Sequence, residues 1–186
     1  MDSVGGGEIR ATGSSAGNGG VLLVSGGGEF TLLGGTLRAI AGESRAAYGG
    51  IASVSGAGCV FNMKGGKLAD GVTEANSSRS AYGGSIYCYD GAVINISGGT
   101  IEGGTATIGG NFYMAPRAVV NISGGTVTGG TAKSYGGNFY VSTNAVLNIT
   151  GGSLVGGSAK YGANVAALGS TVNLSGGEMK DGAASL

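Results

Sequence analysis

The sequence predicts an all-β chain wound as a parallel β-helix, a solenoid of about six coils with three short strands per coil. Three observations predict this fold. A unit of 25–34 residues recurs along the chain, glycine pairs punctuate it, and apolar residues alternate with polar ones between the glycines. Repetition at this period indicates units that stack into one continuous core, and alternation with a period of two indicates strands.

Glycine pairs mark the corners of the coils. One set of pairs begins at Gly6, Gly34, Gly65, Gly98, Gly124, Gly151 and Gly176. A second marker, usually Tyr-Gly-Gly, opens each coil, so that the coils span 18–47, 48–81, 82–107, 108–134, 135–160 and 161–186 of a single domain, 1–186, after a partial coil, 1–17. Sharp corners favour glycine because they need positive φ or close backbone approach. A β-propeller, the alternative, needs about 40 or more residues per blade.

Each strand in order shows apolar columns that recur from coil to coil. The first strand supplies Leu22, Ala52, Ile86, Phe112, Phe139 and Val165, followed two residues later by Val24, Val54, Cys88, Met114, Val141 and Ala167. The second supplies Phe30, Phe61, Ile94, Val120, Leu147 and Val172, and then Leu32, Met63, Ile96, Ile122, Ile149 and Leu174. The third supplies Leu37, Leu68, Ile101, Val127, Leu154 and Met179. We expect these columns to point inward.

One polar column lies between the two apolar columns of the second strand. It contains Thr31, Asn62, Asn95, Asn121, Asn148 and Asn173. Since alternate residues of a strand face opposite sides, this column should point outward. Stacked asparagines of this kind predict a ladder of side-chain amides, hydrogen-bonded along the solenoid axis.

Composition excludes several classes of function. Charged residues are only 11% of the chain, and ten basic residues balance ten acidic ones. Nucleic acids and anionic membranes attract clustered Lys and Arg, so neither is an expected partner. The chain has no apolar run long enough to span a membrane as a helix. It has no histidine, and we expect no cofactor and no metal.

The units "GGTIEGGTA", "GGTVTGGTA" and "YGGNFY" resemble the glycine-rich repeats of right-handed parallel β-helix surface proteins, the adhesin-like proteins of bacteria and archaea. The pectate-lyase-like superfamily shares this architecture. The resemblance implies right-handed winding, with which the crossover rule agrees. It also implies a secreted or cell-surface location.

We expect the segment to belong to a longer repeat protein, because Met1 lies directly on repeat-like sequence and the chain ends partway through a repeat.

Tyrosines form two columns. Tyr87, Tyr113 and Tyr140 recur on the first strand, with Tyr89 two residues beyond Tyr87, and this predicts an exposed aromatic patch. Tyrosine suits sugars and protein interfaces because it combines a large apolar ring with a polar tip. The alternative is a stacking ladder that only stabilises neighbouring strands. A second column directly precedes the corner glycines and is expected to cover the bend: Tyr48, Tyr82, Tyr135 and Tyr161.

Two corner segments are longer than their counterparts. They span 38–47 and 69–81 and carry the candidate binding residues Glu43, Arg45, Glu74 and Arg79. Extra loops on one edge of a solenoid often carry specificity. Surface insertions without a function are the alternative.

Catalytic chemistry has weak support. Glycoside hydrolysis usually needs two facing carboxylates, and the acidic residues here are scattered, with Asp70 and Glu102 the nearest pair across adjacent coils. The expected function is therefore a non-catalytic extracellular binding or stalk segment that recognises a host protein or a glycan. The alternative is a polysaccharide lyase or glycoside hydrolase of β-helix architecture. Uncapped coils predict end-to-end self-association, and the sequence leaves open whether Cys59 and Cys88 form a disulfide.

Overall fold

The structure, a computed structural model, describes residues 7–11, 18–40, 46–75 and 80–184. Within these ranges there is no helix, and every pairing between strands is parallel. The strands stack as a β-solenoid of about six turns with three principal strands per coil. The predicted all-β fold is therefore confirmed.

The strands of successive coils stack in three rows. The first row contains β2 (Leu22–Ser25), β5 (Ala52–Ser55), β8 (Ile86–Tyr89), β12 (Phe112–Met114), β16 (Phe139–Val141) and β19 (Val165–Ala167). The second contains β3 (Glu29–Leu32), β6 (Val60–Met63), β9 (Val93–Ile96), β13 (Val119–Ile122) and the first halves of β17 (Val146–Val155) and β20 (Thr171–Lys180). The third contains β1 (Glu8–Ala11), β4 (Thr36–Ala39), β7 (Lys67–Ala69), β10 (Thr100–Glu102), β14 (Thr126–Thr128) and the second halves of β17 and β20.

The register between coils follows the predicted columns. In the second row, for example, Ile94, Val120 and Leu147 are direct partners. In the first row the partners include Ile86, Phe112 and Phe139. Because side chains alternate along a strand, this register places like residues in ladders that run along the axis.

The core consists of these stacked inward columns. Phe61, Phe112 and Phe139 are fully buried, and the rings of Phe112 and Phe139 stack with their centroids 4.4 Å apart. Ile122 and Ile149 are also buried, as predicted. Burial of such side chains stabilises the fold by about 1.5–3 kcal/mol each.

The last coil departs from this pattern. Leu174 and Met179 belong to inward columns, yet they are 54% and 37% exposed. No further coil covers them within the described residues, so one side of each side chain meets solvent. The inward phase of the column is unchanged, because both residues pair in register with Ile149 and Leu154.

Glycine at the corners is required by close approach between coils. Gly99 has a φ of 85°, and a Cβ there would lie 2.7 Å from the carbonyl oxygen of Gly66 on the preceding coil. At the tyrosine corner, a Cβ on Gly137 would lie 2.1 Å from the carbonyl oxygen of Ala163. A side chain at either position would push the coils apart, which explains why glycine pairs recur at these corners.

A fourth, short row of strands joins the third row to the tyrosine corner. It contains β11 (Thr105–Ile108), β15 (Thr131–Tyr135), β18 (Ser158–Ala159) and β21 (Ala183–Ala184). An isolated bridge between Val72 and Thr105 extends it by one coil. The sequence did not predict this row, because its two- to five-residue segments are too short to show an alternating pattern. This fourth row leads directly into the column of corner tyrosines.

Candidate binding face

The two predicted tyrosine columns lie on adjacent rows. Tyr87, Tyr113 and Tyr140 are direct partners on the first row of strands. In the corner column, an isolated β-bridge pairs Tyr48 with Tyr82. Ile108 occupies the next position, in place of a tyrosine, and the column then continues. Stacking in register brings each ring next to its counterpart one coil away.

The rings of both columns make one continuous series of contacts, which we call the tyrosine face. Rings stack along each column, as in the pair Tyr87 and Tyr113, whose centroids are 5.4 Å apart. Rings also touch across the columns, as in the pair Tyr82 and Tyr113, at 4.7 Å with an edge-on geometry. The face contains all eight tyrosines of the chain: Tyr48, Tyr82, Tyr87, Tyr89, Tyr113, Tyr135, Tyr140 and Tyr161.

The middle of the tyrosine face exposes less ring surface than the sequence predicts. Tyr113 is half-buried because Tyr87 and Tyr140 stack on its two sides, with interplanar angles of 17° and 22°. Ring centroids 5.0–5.4 Å apart leave no space for a ligand to insert between them. The middle of the face therefore offers ring edges to a ligand.

The ends of the tyrosine face are more open. Tyr89 is 44% exposed and Tyr161 is 49% exposed. Tyr89 stacks on Tyr87 on one side, and Tyr161 stacks on Tyr135. A ligand that stacks on an aromatic ring can reach a ring face only at such ends.

Two phenols in the middle of the face, those of Tyr87 and Tyr113, hold their protons more tightly than an ordinary tyrosine does. Burial, together with the neighbouring phenols, raises the pKa of Tyr113 to about 12. The same causes raise the pKa of Tyr87 above its ordinary value. These two rings therefore act as neutral hydrogen-bonding groups at physiological pH.

Buried asparagines lie directly behind the tyrosine face, and we call them the inner amide ladder: Asn111, Asn138 and Asn164, which continue to Ser85 at one end. The Nδ2 atom of Asn111 donates to Oδ1 of Asn138 at 2.8 Å, and Nδ2 of Asn138 donates to Oδ1 of Asn164 at 2.8 Å. The hydroxyl of Ser85 donates to Oδ1 of Asn111 at 3.1 Å. Each asparagine immediately precedes a first-row strand.

Each amide of this ladder also bonds the backbone across the coil. Oδ1 of Asn138 accepts from the N–H of Gly130 at 3.0 Å, and its Nδ2 donates to the carbonyl of Val155 at 3.1 Å. With its two ladder bonds, this fully buried side chain uses all four of its hydrogen-bonding positions. The ladder thus ties the tyrosine face to the corner between the third and fourth rows. Sequence reasoning missed it, although an asparagine after the corner glycines at 111, 138 and 164 was a visible signal.

The predicted outer amide ladder is present on another face, which we call the asparagine face. Nδ2 of Asn121 donates to Oδ1 of Asn95 at 2.9 Å, and Nδ2 of Asn148 donates to Oδ1 of Asn121 at 2.8 Å. The ladder contains Asn62, Asn95, Asn121, Asn148 and Asn173. At its end, Nδ2 of Asn62 donates to the carboxylate of Glu29 at 2.7 Å.

Of the predicted loop residues, Glu74 alone lies within the part of the chain that the structure describes. Glu43, Arg45 and Arg79 lie outside the described residues. Glu74 is exposed and lines a separate depression of about 230 Å³, which Lys133 also lines. None of the tyrosines lines that depression.

The two carboxylates considered for catalysis are each paired with a cation. Glu102 accepts from the ammonium of Lys67 at 2.7 Å, and Asp70 pairs with the guanidinium of Arg38. Among the described residues, no group of three or more Cys, Asp or Glu side chains could hold a metal ion.

The two cysteines are free thiols, and both are buried. Burial raises the pKa of the Cys88 thiol to about 12, which makes it a poor nucleophile. Cys88 therefore acts as an apolar core residue in its inward column.

Comparison with known proteins gave no relative: no family model, no curated protein and no solved structure matches the chain. Within the described ranges, no helix is long and apolar enough to cross a membrane.

Proposed function

We propose that this chain is a non-catalytic, extracellular binding segment of an adhesin-like cell-surface protein, wound right-handed, and that its tyrosine face recognises a host protein or a glycan. One observation carries the proposal. All eight tyrosines form a single aromatic surface, on a chain whose other outward columns are mainly Ser, Thr, Gly and Asn.

The chemistry of the face supports recognition. Tyrosine is enriched in the few residues that dominate binding energy at interfaces, because it buries a large rigid ring and retains a hydroxyl. The inner amide ladder fixes the backbone that carries the rings, so that little ordering is needed when a ligand binds. By contrast, an amide in the middle of the asparagine face, such as that of Asn121, uses two of its four hydrogen-bonding positions within its own ladder.

A binding screen tests this proposal. The chain would be applied to an array of glycans and to a panel of host extracellular proteins. We expect saturable binding to at least one member, weakened about tenfold or more by Tyr113→Ala, since the substitution removes the central ring of the face. A melting temperature would show that the variant is folded. Absence of binding to every member by the folded wild-type chain would overturn the proposal.

The non-catalytic part of the proposal is tested separately. Asp70 and Glu102 are each held in an ion pair, so we expect no shortening of neutral or acidic polysaccharides after long incubation with the chain. The enzyme alternative would gain support if a polysaccharide were shortened and Asp70→Asn abolished the activity.

End-to-end self-association is a further part of the proposal. The exposed inward columns of the last coil, with Leu174 and Met179, give it an apolar surface on which another coil could stack. Sedimentation velocity should show concentration-dependent association that Leu174→Asp removes. Sedimentation as a monomer at every concentration would contradict it.

A further inference from the structure

The tyrosine face stops abruptly on its N-terminal side. In the first row of strands, Ser53 is the partner of Tyr87, and Ser55 is the partner of Tyr89. In the middle of the face the equivalent partner of a tyrosine is another tyrosine. Replacement of large rings by serines leaves a depression of about 270 Å³, which we call the serine notch, lined by Asn18, Tyr48, Ser55, Tyr87 and Tyr89.

We propose that the serine notch binds one ring of a neutral glycan. This inference rests on the binding function proposed for the tyrosine face, and it names both the position and the ligand class. The notch is smaller than the pockets of roughly 300–1,000 Å³ that enclose drug-sized ligands. It therefore suits a single sugar ring of a longer chain, with the rest of the glycan lying outside the notch.

The lining of the notch matches the two kinds of surface on a pyranose ring. A pyranose has an apolar face of C–H groups and a rim of hydroxyls. Tyr89, which is 44% exposed, supplies an open aromatic surface for the first. Ser55 and Asn18 supply a hydroxyl and an amide for the second, and both groups can donate and accept hydrogen bonds.

The electrostatics of the notch favour a neutral ligand. None of the described residues that line it carries a charge. The nearest acid in sequence, Asp90, pairs with Arg117 from the adjacent coil. A charged sugar would gain no ion pair in the notch, and its desolvation would not be compensated.

The opposite end of the tyrosine face provides an internal contrast. There the ammonium of Lys160 lies 5.4 Å from the ring centroid of Tyr161. A cation over a ring occupies the surface that a sugar would use. Tyr161 is about as exposed as Tyr89, so the two rings differ mainly in what surrounds them.

A buried hydroxyl beneath the notch supplies a second observation. Ser53 is fully buried, and its Oγ has no hydrogen-bond partner among the described residues. Unpartnered buried polar groups are uncommon and call for an explanation. Ser53 faces the same side of its strand as Ser55, which lines the notch.

Calorimetric titration with defined oligosaccharides tests the proposal. The probes are maltohexaose, cellohexaose and mannohexaose, which are neutral, and hexagalacturonate, which is acidic. We expect at least one neutral probe to bind with an affinity that salt does not change, because no ion pair forms. Hexagalacturonate should bind more weakly than that probe.

Two matched variants locate the site. Tyr89→Ala should weaken binding of the neutral probe by about tenfold or more, whereas Tyr161→Ala, at the other end of the face, should weaken it much less. Ser55→Tyr continues the tyrosine column and fills the notch, so it should abolish binding even if Tyr89→Ala proves unstable. The melting temperature of each variant is measured alongside.

The outcomes separate this inference from the proposed function. The inference is overturned if the folded chain binds no neutral probe, if Tyr161→Ala weakens binding as much as Tyr89→Ala, or if binding survives Ser55→Tyr. If these results occur while a host protein still binds in a manner that depends on Tyr113, the proposed function stands without the notch. If no glycan and no protein binds at all, both fail.

Discussion

The tyrosine face and the asparagine face are built by the same repeat, and each is associated with a ladder of asparagine amides. On the asparagine face the ladder lies outside, and each step consists of one amide–amide hydrogen bond, as between Asn121 and Asn148. Behind the tyrosine face the ladder is buried, and Asn138 makes four hydrogen bonds, two of them to backbone groups across the coil.

The difference shows how position decides what a polar side chain does. Outside, the amides compete with water, so each hydrogen bond contributes about 0.5–1.5 kcal/mol. Inside, the amides form hydrogen bonds with backbone groups that would otherwise be buried without partners. The outer amides thus bond mainly to one another along the ladder, whereas the inner ladder supports a face whose rings remain available to a ligand.

The largest expected effect concerns the strand that carries Asn121, and it tests which side chains of that strand point into the core. Ile122 follows Asn121 on the same strand and is buried. Replacement by alanine should lower the free energy of unfolding by about 2–5 kcal/mol, through lost transfer energy and the cavity that remains. Val119, which is half-buried on that strand, gives the control, and its replacement by alanine should cost less. Urea denaturation measures both, and a loss under about 0.5 kcal/mol for Ile122→Ala would reverse the assignment.

The next effect compares the two ladders directly. Asn138→Ala removes four hydrogen bonds and leaves the buried N–H of Gly130 without its partner, so we expect a loss of about 2–4 kcal/mol. Asn148→Ala removes two steps of the outer ladder, where water can substitute, and should cost under about 1 kcal/mol. Equal losses in the two variants would show that burial does not distinguish the ladders.

The smallest expected effect is a pH dependence of the stability, to which a tyrosine ring contributes and the amides do not. The pKa of Tyr113 is raised to about 12 in the folded chain, and an unfolded tyrosine titrates near pH 10. The folded state therefore holds this proton more tightly, and the stabilisation, complete below about pH 10, is lost as the pH rises toward 12. Because the ring is half-exposed, we expect a loss of about 1 kcal/mol or less.

Thermal melting of the wild-type chain and of Tyr113→Phe, between about pH 10 and pH 12, measures the effect. The variant should show a shallower decline in melting temperature, because one of the titrating phenols is gone. An identical decline in both proteins would mean that Tyr113 does not titrate as described. Neither amide ladder titrates in this range, so neither contributes.

Much of the fold could be predicted from the sequence, since its signals are local and repeated. The alternation around Asn95, Asn121 and Asn148 fixed both the inward columns and the outer ladder. The inner ladder could not be found in this way for two reasons. Its equivalent positions in earlier coils hold Ile51 and Ser85, so no asparagine column runs through all the coils. Its positions also lie at a corner, where the alternation of inward and outward residues is interrupted.

The tyrosine face was only partly predictable for a related reason. The sequence separates the two columns by five residues, as with Tyr82 and Tyr87, and it suggests different roles for them. Only the turn of the chain at the corner brings Tyr82 against Tyr113 of the next coil. The serine notch likewise depends on which residues become partners between coils.

The central claim is that ligands bind the tyrosine face and leave the asparagine face untouched. Nuclear magnetic resonance reads both faces in one sample, through the ring signals of the eight tyrosines and the side-chain amide signals of the outer ladder. The chain would be titrated with the tightest ligand from the binding screen. The account predicts that tyrosine ring signals shift while those of Asn95, Asn121 and Asn148 stay in place. Shifts confined to the asparagine amides, with the tyrosine rings unmoved, would contradict it.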